Sequence, residues 1–200
     1  MSEIEYLEMA ISSSKINVLH IDDDEDVLFY SKTLLEEFEP RLNITNIQTP
    51  TELYAELDTG KYNLVLSDYK MPDVNGIELG EQVKKRYAVP FILYTGQGSE
   101  EVAEEAFRVG IDDYIRKDNE PTHYHVLARR IIQTDEGIRV NAQKKKFDRQ
   151  LAALQNHSLE LNKAETISDV SKATLQIMSD VLGYSHAEFK LVEEGFLVTQ

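Results

Sequence analysis

Short apolar runs rich in branched residues alternate with stretches whose apolar residues recur at helical spacing, and this alternation leaves few folds open to the chain. The apolar runs are Ile16–Ile21, Leu42–Ile47, 62–66 and 89–94, and Asp113–Arg116 reads as a last short strand. Between the first two, residues 27–38 place Val27, Tyr30, Leu34, Leu35 and Phe38 on one helical stripe. Pro50–Leu57 opens on a proline and is closed by Thr59-Gly60. Residues 77–87 follow the turn Met71-Pro72-Asp73-Val74-Asn75-Gly76, and residues 100–109 stop at Gly110. Strand and helix in strict alternation predict an α/β fold, a parallel sheet with helices on both faces.

In such sheets a site forms beyond the carboxyl ends of the strands, where strand order reverses. The sequence puts chemically able residues at that edge: Asp22 and Asp23 after the first run, Asp68 after the third, Thr95 after the fourth and Lys117 after the fifth. Taken singly, each has a plain structural reading. The acids 22–26 suit a helix N-terminus, Asp68 could cap, Thr95 could be structural and Lys117 could be a surface charge. Together they make a chemically coherent set. A carboxylate that is to accept a phosphoryl group needs a divalent cation and positive or hydrogen-bonding groups for the phosphoryl oxygens. Mg²⁺ takes oxygen ligands, and Asp22, Asp23, Asp68 and the backbone carbonyl of Lys70 could supply them. Lys117 offers a cation, Thr95 a hydroxyl, and Gly96 leaves room beside it.

The segments H-I-D-D-D (20–24), S-D-Y-K-M-P-D-V-N-G (67–76), Y-T-G (94–96) and Y-I-R-K (114–117) resemble the receiver domain of two-component response regulators, over residues 15–135. The resemblance implies a flavodoxin-like, doubly wound five-stranded sheet of order 2-1-3-4-5. It implies that Asp68 accepts a phosphoryl group from a histidine kinase or phosphotransfer protein, with Asp22 and Asp23 as metal residues. Thr95 and Lys117 would contact the phosphoryl group, and Tyr114 matches the aromatic that changes rotamer on switching. Asp118 stands where receivers usually carry proline, so a trans bond is expected there, with Asp118 a competitor for Lys117. The Y-T-G-Q-G and Y-I-R-K-D-N wording is similar to that of receivers in archaeal sensor proteins.

The implied function is a phosphorylation-dependent signalling switch, not a metabolic enzyme. Two alternatives stand beside it. A haloacid-dehalogenase-type Mg²⁺ phosphatase would use Asp24-Glu25-Asp26-Val27, but leaves Asp68 unexplained. A receiver-like scaffold would bind a partner without phosphorylation. His20, inside an apolar run, reads as a core histidine with its hydrogen bonds satisfied.

Past Pro121 the pattern becomes helical, with residues 136–165 expected as a linker. Val140, Phe147, Leu154 and Leu161 recur every seven residues, a half-formed heptad that could make a homodimer seam. The basic cluster Arg139, Lys144, Lys145, Lys146 and Arg149 reads as a solvated face. Residues 166–200, a helix and two strands, resemble the start of a GAF-type sensory domain, a small α+β segment. The net charge of −15 argues against nucleic-acid and membrane-surface partners. There is no cysteine and no apolar run near the roughly 18 residues of a membrane span, and the acidic, polar residues 1–15 are not expected to act as a secretory signal, so a cytoplasmic location is expected.

Overall fold

The computed structural model describes residues 14–96, 99–118, 120–163, 166–180, 190–193 and 196–199. The chain divides into two units, Met1–Arg139 and Val140–Gln200.

In the first unit, strands β1 (Ile16–Ile21), β2 (Leu42–Ile47), β3 (Leu64–Ser67), β4 (Phe91–Thr95) and β5 (Asp113–Arg116) form one sheet of order β2-β1-β3-β4-β5. Every pairing in it is parallel. Helices α1 (Glu25–Phe38), α2 (Pro50–Leu57), α3 (Gly76–Arg86) and α4 (Glu100–Arg108) connect the strands, and α5 (His123–Leu161) follows β5. This is the expected flavodoxin-like topology, with the switch point between β1 and β3.

Two strand starts lie later than the sequence suggests. Asn63 spends its side chain on the backbone N–H of Asn17, at 2.8 Å, so the ladder of β3 begins at Leu64. Pro90 lacks an N–H and contributes only its carbonyl, to Val65 N, so β4 begins at Phe91.

The core has two faces because strand side chains alternate. On one face Leu19, Ile21, Val65, Phe91 and Leu93 meet Leu53 and Leu57 of α2, Ile77, Leu79 and Val83 of α3, and Ala106 of α4. On the other, Ile16, Val18, Leu64, Leu66, Ile92, Tyr94 and Ile115 meet Leu35 of α1 and Leu127, Ala128 and Ile131 of α5.

The helix starts follow from local capping. Asp24 accepts from the N–H groups of Asp26 and Val27, Thr49 and Glu52 form a reciprocal capping box, and Asn75 accepts from Glu78 N. Asp24 therefore starts α1 two residues ahead of the apolar stripe read from the sequence.

Helix α5 is continuous from His123 to Leu161, so the expected linker is helical to near its end. In the second unit α6 (Ile167–Asp180) precedes β6 (Lys190–Glu193) and β7 (Phe196–Thr199), an antiparallel pair. Part of the GAF-like segment read from the sequence lies outside the described residues. No helix among the described residues is long and apolar enough to cross a membrane.

Candidate functional site

The acidic run after β1 divides by role. Asp22 turns inward and is 1% exposed, Asp23 is exposed, and Asp24 caps α1. Asp22 is held in place by its own N–H donating to Ile47 O and by Asp24 N donating to its Oδ1 at 3.0 Å. Asp68 follows β3, anchored by its N–H to Ile21 O at 2.9 Å, and is 7% exposed. Both of its carboxylate oxygens have donors. Lys70 N donates to Oδ2 at 2.6 Å, and Lys117 Nζ donates to Oδ1 at 2.6 Å.

Lys117 is the centre of the site. Its Nζ lies 2.6 Å from Asp22 Oδ2 as well as 2.6 Å from Asp68 Oδ1, and its N–H donates to Thr95 O at 2.7 Å. Burial works against its charge, but the pull and hydrogen bonds of Asp22 and Asp68 outweigh that and hold its pKa above the ordinary value. Burial pushes the Asp22 carboxyl up, and Lys117 offsets only part of the push. The site thus sets two nearly buried carboxyl groups against one ammonium.

The loop that carries Asp68 depends on Gly76. A Cβ there would stand 2.2 Å from the Asp68 carbonyl oxygen and 2.6 Å from Leu93 Cδ1. Gly76 N donates to Tyr69 O at 2.7 Å, closing the 69–76 turn under the carboxylate. Only glycine lets the start of α3 approach so closely.

The structure thus brings together Asp22, Asp68 and Lys117, with buried Thr95 joined to Lys117 through its backbone. Asp23, beside Asp22 in the chain, is exposed. Lys70 enters through its N–H, with its residue in an isolated bridge to Asn75. Tyr114 is half-buried and packs against the α2/α3/α4 face. No peptide bond among the described residues is cis, as expected at Asp118. Asp118 does not compete for Lys117. It is exposed and accepts from Glu120 N at 3.1 Å, while the ammonium is taken by the two inner carboxylates.

Among the described residues no three acidic or histidine side chains are gathered to hold a metal ion. The donor chemistry still suits a hard divalent cation, because two carboxyl groups meet at one sheet edge.

Two residues drew no role from the sequence, or a different one. His20 is fully buried, but neither ring nitrogen has a hydrogen-bond partner, so the expectation of a satisfied histidine fails. Asn46, opposite it in register, donates its amide N–H to Leu28 O, and its side-chain oxygen is also buried without a hydrogen-bond partner. Burial, with Lys117 adding, pushes its pKa down to about 3. Tyr94 is 1% exposed, and its ring centroid lies 5.5 Å from Lys117 Nζ. Strand parity was the available signal for Tyr94. It shares a face with Ile92, opposite to Leu93.

Comparison with known proteins identifies the family. Residues 18–129 match the family model of the response regulator receiver domain, and the chain belongs to that family. It is 23% identical over 193 residues to the cyclic di-GMP phosphodiesterase response regulator RpfG of Xanthomonas campestris pv. campestris (strain 8004), covering 90% of this chain and 51% of that protein. It is 30% identical over 128 residues to the transcriptional regulatory protein ResD of Bacillus subtilis (strain 168), covering 61% of this chain and 52% of that protein. A CheY-like receiver domain structure from Methanospirillum hungatei JF-1 superposes with a TM-score of 0.54 at 30% identity, over 62% of this chain and 98% of that one. The chain spans about half the length of these two curated relatives. As a receiver, it is a phosphorylation-dependent signalling switch, and the phosphatase alternative is not favoured.

Proposed function

We propose that Asp68 is the phosphoryl acceptor of this switch, charged by a histidine kinase or phosphotransfer protein in a Mg²⁺-dependent step. The observation that carries the reading is the meeting of Asp22, Asp68 and Lys117 from three separate strand ends within 2.6 Å contacts. A carboxylate oxygen of Asp68 attacks phosphorus, the P–N bond to the donor imidazole breaks, and an acyl phosphate forms. Mg²⁺, when bound, supplies the positive charge that lets an anionic donor approach a carboxylate. Asp22 and Asp68 would hold it, with Asp23 and the Lys70 carbonyl as further ligands. Lys117 moves its ammonium from the carboxylates to the arriving phosphoryl oxygens, and Thr95 offers its hydroxyl to the same group. Tyr114 follows Thr95 on the α2/α3/α4 face.

The output passes into α5 and the segment beyond it, which we read as the beginning of a GAF-type sensory domain. The domain reading is a receiver over residues 15–135, a helical linker over 136–165 and the sensory segment over 166–200. Val140, Phe147 and Leu154 of α5 are 50%, 65% and 45% exposed, and their spacing of seven fits a second copy of the same helix. Within this chain the chemistry is confined to uptake and loss of its own phosphoryl group.

The test is Asp68→Asn incubated with acetyl phosphate and Mg²⁺ and weighed by mass spectrometry. The wild-type chain gains one phosphoryl group and the variant none. Equal labelling of both would move the acceptor elsewhere.

A further inference from the structure

Tyr94 lies on the sheet face opposite to the one that Thr95 and Tyr114 serve. In β4, Phe91, Leu93 and Thr95 alternate with Ile92 and Tyr94, and Tyr94 packs in the cluster shared with α5. Its ring lies beneath the active-site lysine, with Lys117 Nζ 5.5 Å from the ring centroid, inside the range of a cation–π contact. The ring also stacks on His123, at 5.8 Å and 10° between planes, and tilts against His20 at 6.5 Å. Burial pushes the pKa of its hydroxyl up, and the neighbouring Tyr124 hydroxyl adds to the push. His123 and Tyr124 are the first two residues of α5.

A buried tyrosine could serve only to fill the core, but a leucine or phenylalanine would fill it without a hydroxyl that needs a partner. The position links two features of the domain. Lys117 is the one group in the triad that must change partners when a phosphoryl group arrives. Helix α5 is the element by which the receiver leads into the rest of the chain.

We propose that Tyr94 is a positioning residue: its ring face holds the Lys117 ammonium between Asp22 and Asp68, and its hydroxyl ties that position, through Tyr124, to the first turn of α5. The proposal rests on the reading of Asp68 as the phosphoryl acceptor. When the ammonium leaves Asp22 and Asp68 for a phosphoryl group, the ring that supports it shifts, and the stacked His123 and neighbouring Tyr124 shift with it. This route is separate from the one through Thr95 and Tyr114, because it runs on the other side of the sheet.

The experiment uses the full chain and the variants Y94L, Y94F and Y124F, with acetyl phosphate and Mg²⁺ as donor and beryllofluoride as phosphoryl mimic. By NMR, the ε-methylene protons of Lys117 carry an upfield ring-current shift in wild type, Y94F and Y124F and lose it in Y94L. Labelling of Asp68 slows about five- to tenfold in Y94L and stays within about twofold of wild type in Y94F and Y124F, the difference a partly desolvated cation–π contact makes. Beryllofluoride moves the His123 ring signals in wild type, and this response shrinks in Y94F and Y124F, which lose only a hydroxyl. The proposal is overturned if Y94L keeps both the Lys117 shift and the wild-type labelling rate. It is also overturned if the His123 response is undiminished in Y94F and Y124F. Should Y94L fail to fold, this second arm decides. If wild type itself takes no phosphoryl group, the reading of Asp68 fails, while the ring-current shift still decides whether Tyr94 holds Lys117.

Discussion

His20 and Gly76 show how single residues set the terms for the site around them. His20 occupies a strand position that would suit valine, and its ring nitrogens are unpartnered in the core. Its folded pKa of about 3 lies below the ordinary value of 6.5. Between these values the unfolded chain binds a proton that the folded chain does not, so stability is complete above pH 6.5 and falls as pH drops toward 3. The slope from this one group reaches about 1.4 kcal/mol per pH unit. Urea denaturation at pH 7, 6 and 5 is expected to show H20L losing less stability on acidification than wild type. Gly76 acts by close approach. A Cβ at this position meets the Asp68 carbonyl oxygen and Tyr69 Cα, both backbone atoms that cannot rotate away. G76A is expected to lose about 1–3 kcal/mol in urea unfolding, the usual cost of overpacking, and to slow acetyl-phosphate labelling by displacing Asp68. The N-G pair was legible in the sequence as a turn. That its glycine lies against the acceptor's own carbonyl was not, because that contact joins the turn to a strand end.

At the scale of elements, most of the architecture follows from short-range pattern. The five strands and four connecting helices fall where branched apolar runs and helical stripes alternate, and shifts at their ends have local causes such as Pro90 and the Asp24 cap. Helix α5 is different. Residues 123–133 continue the core stripe with Leu127, Ala128 and Ile131 buried, whereas Val140, Phe147, Leu151 and Leu154 are exposed. A helix that keeps large apolar groups in water at a spacing of seven suits a matching helix. F147E is therefore expected to shift sedimentation velocity profiles toward monomer at concentrations where wild type self-associates, leaving Asp68 labelling unchanged. A single monomeric species for wild type at every concentration would count against the seam.

Over the whole molecule, charge is the dominant property. A chain of net charge −15 concentrates two nearly buried carboxylates at one sheet edge against a single lysine. A cation that binds there stabilises the folded state by mass action. Mg²⁺ at ten times its dissociation constant is expected to add about 1.4 kcal/mol, against a sodium chloride control of equal ionic strength. D22N is expected to lose most of that gain in thermal unfolding. The sequence by itself determined the alternating fold, the strand-end placement of Asp22, Asp68, Thr95 and Lys117, and the kind of chemistry these residues can do. Periodicity and turn chemistry are written in neighbouring residues, and a parallel sheet gathers its strand ends at one edge whatever its details. Only the tertiary structure decided which acid of the run 22–26 faces inward, that Lys117 bridges Asp22 and Asp68 and not Asp118, and that Tyr94 joins this lysine to the start of α5. Those choices depend on side chains far apart in sequence sharing one small desolvated space, where burial and charge, and not local pattern, select the partner.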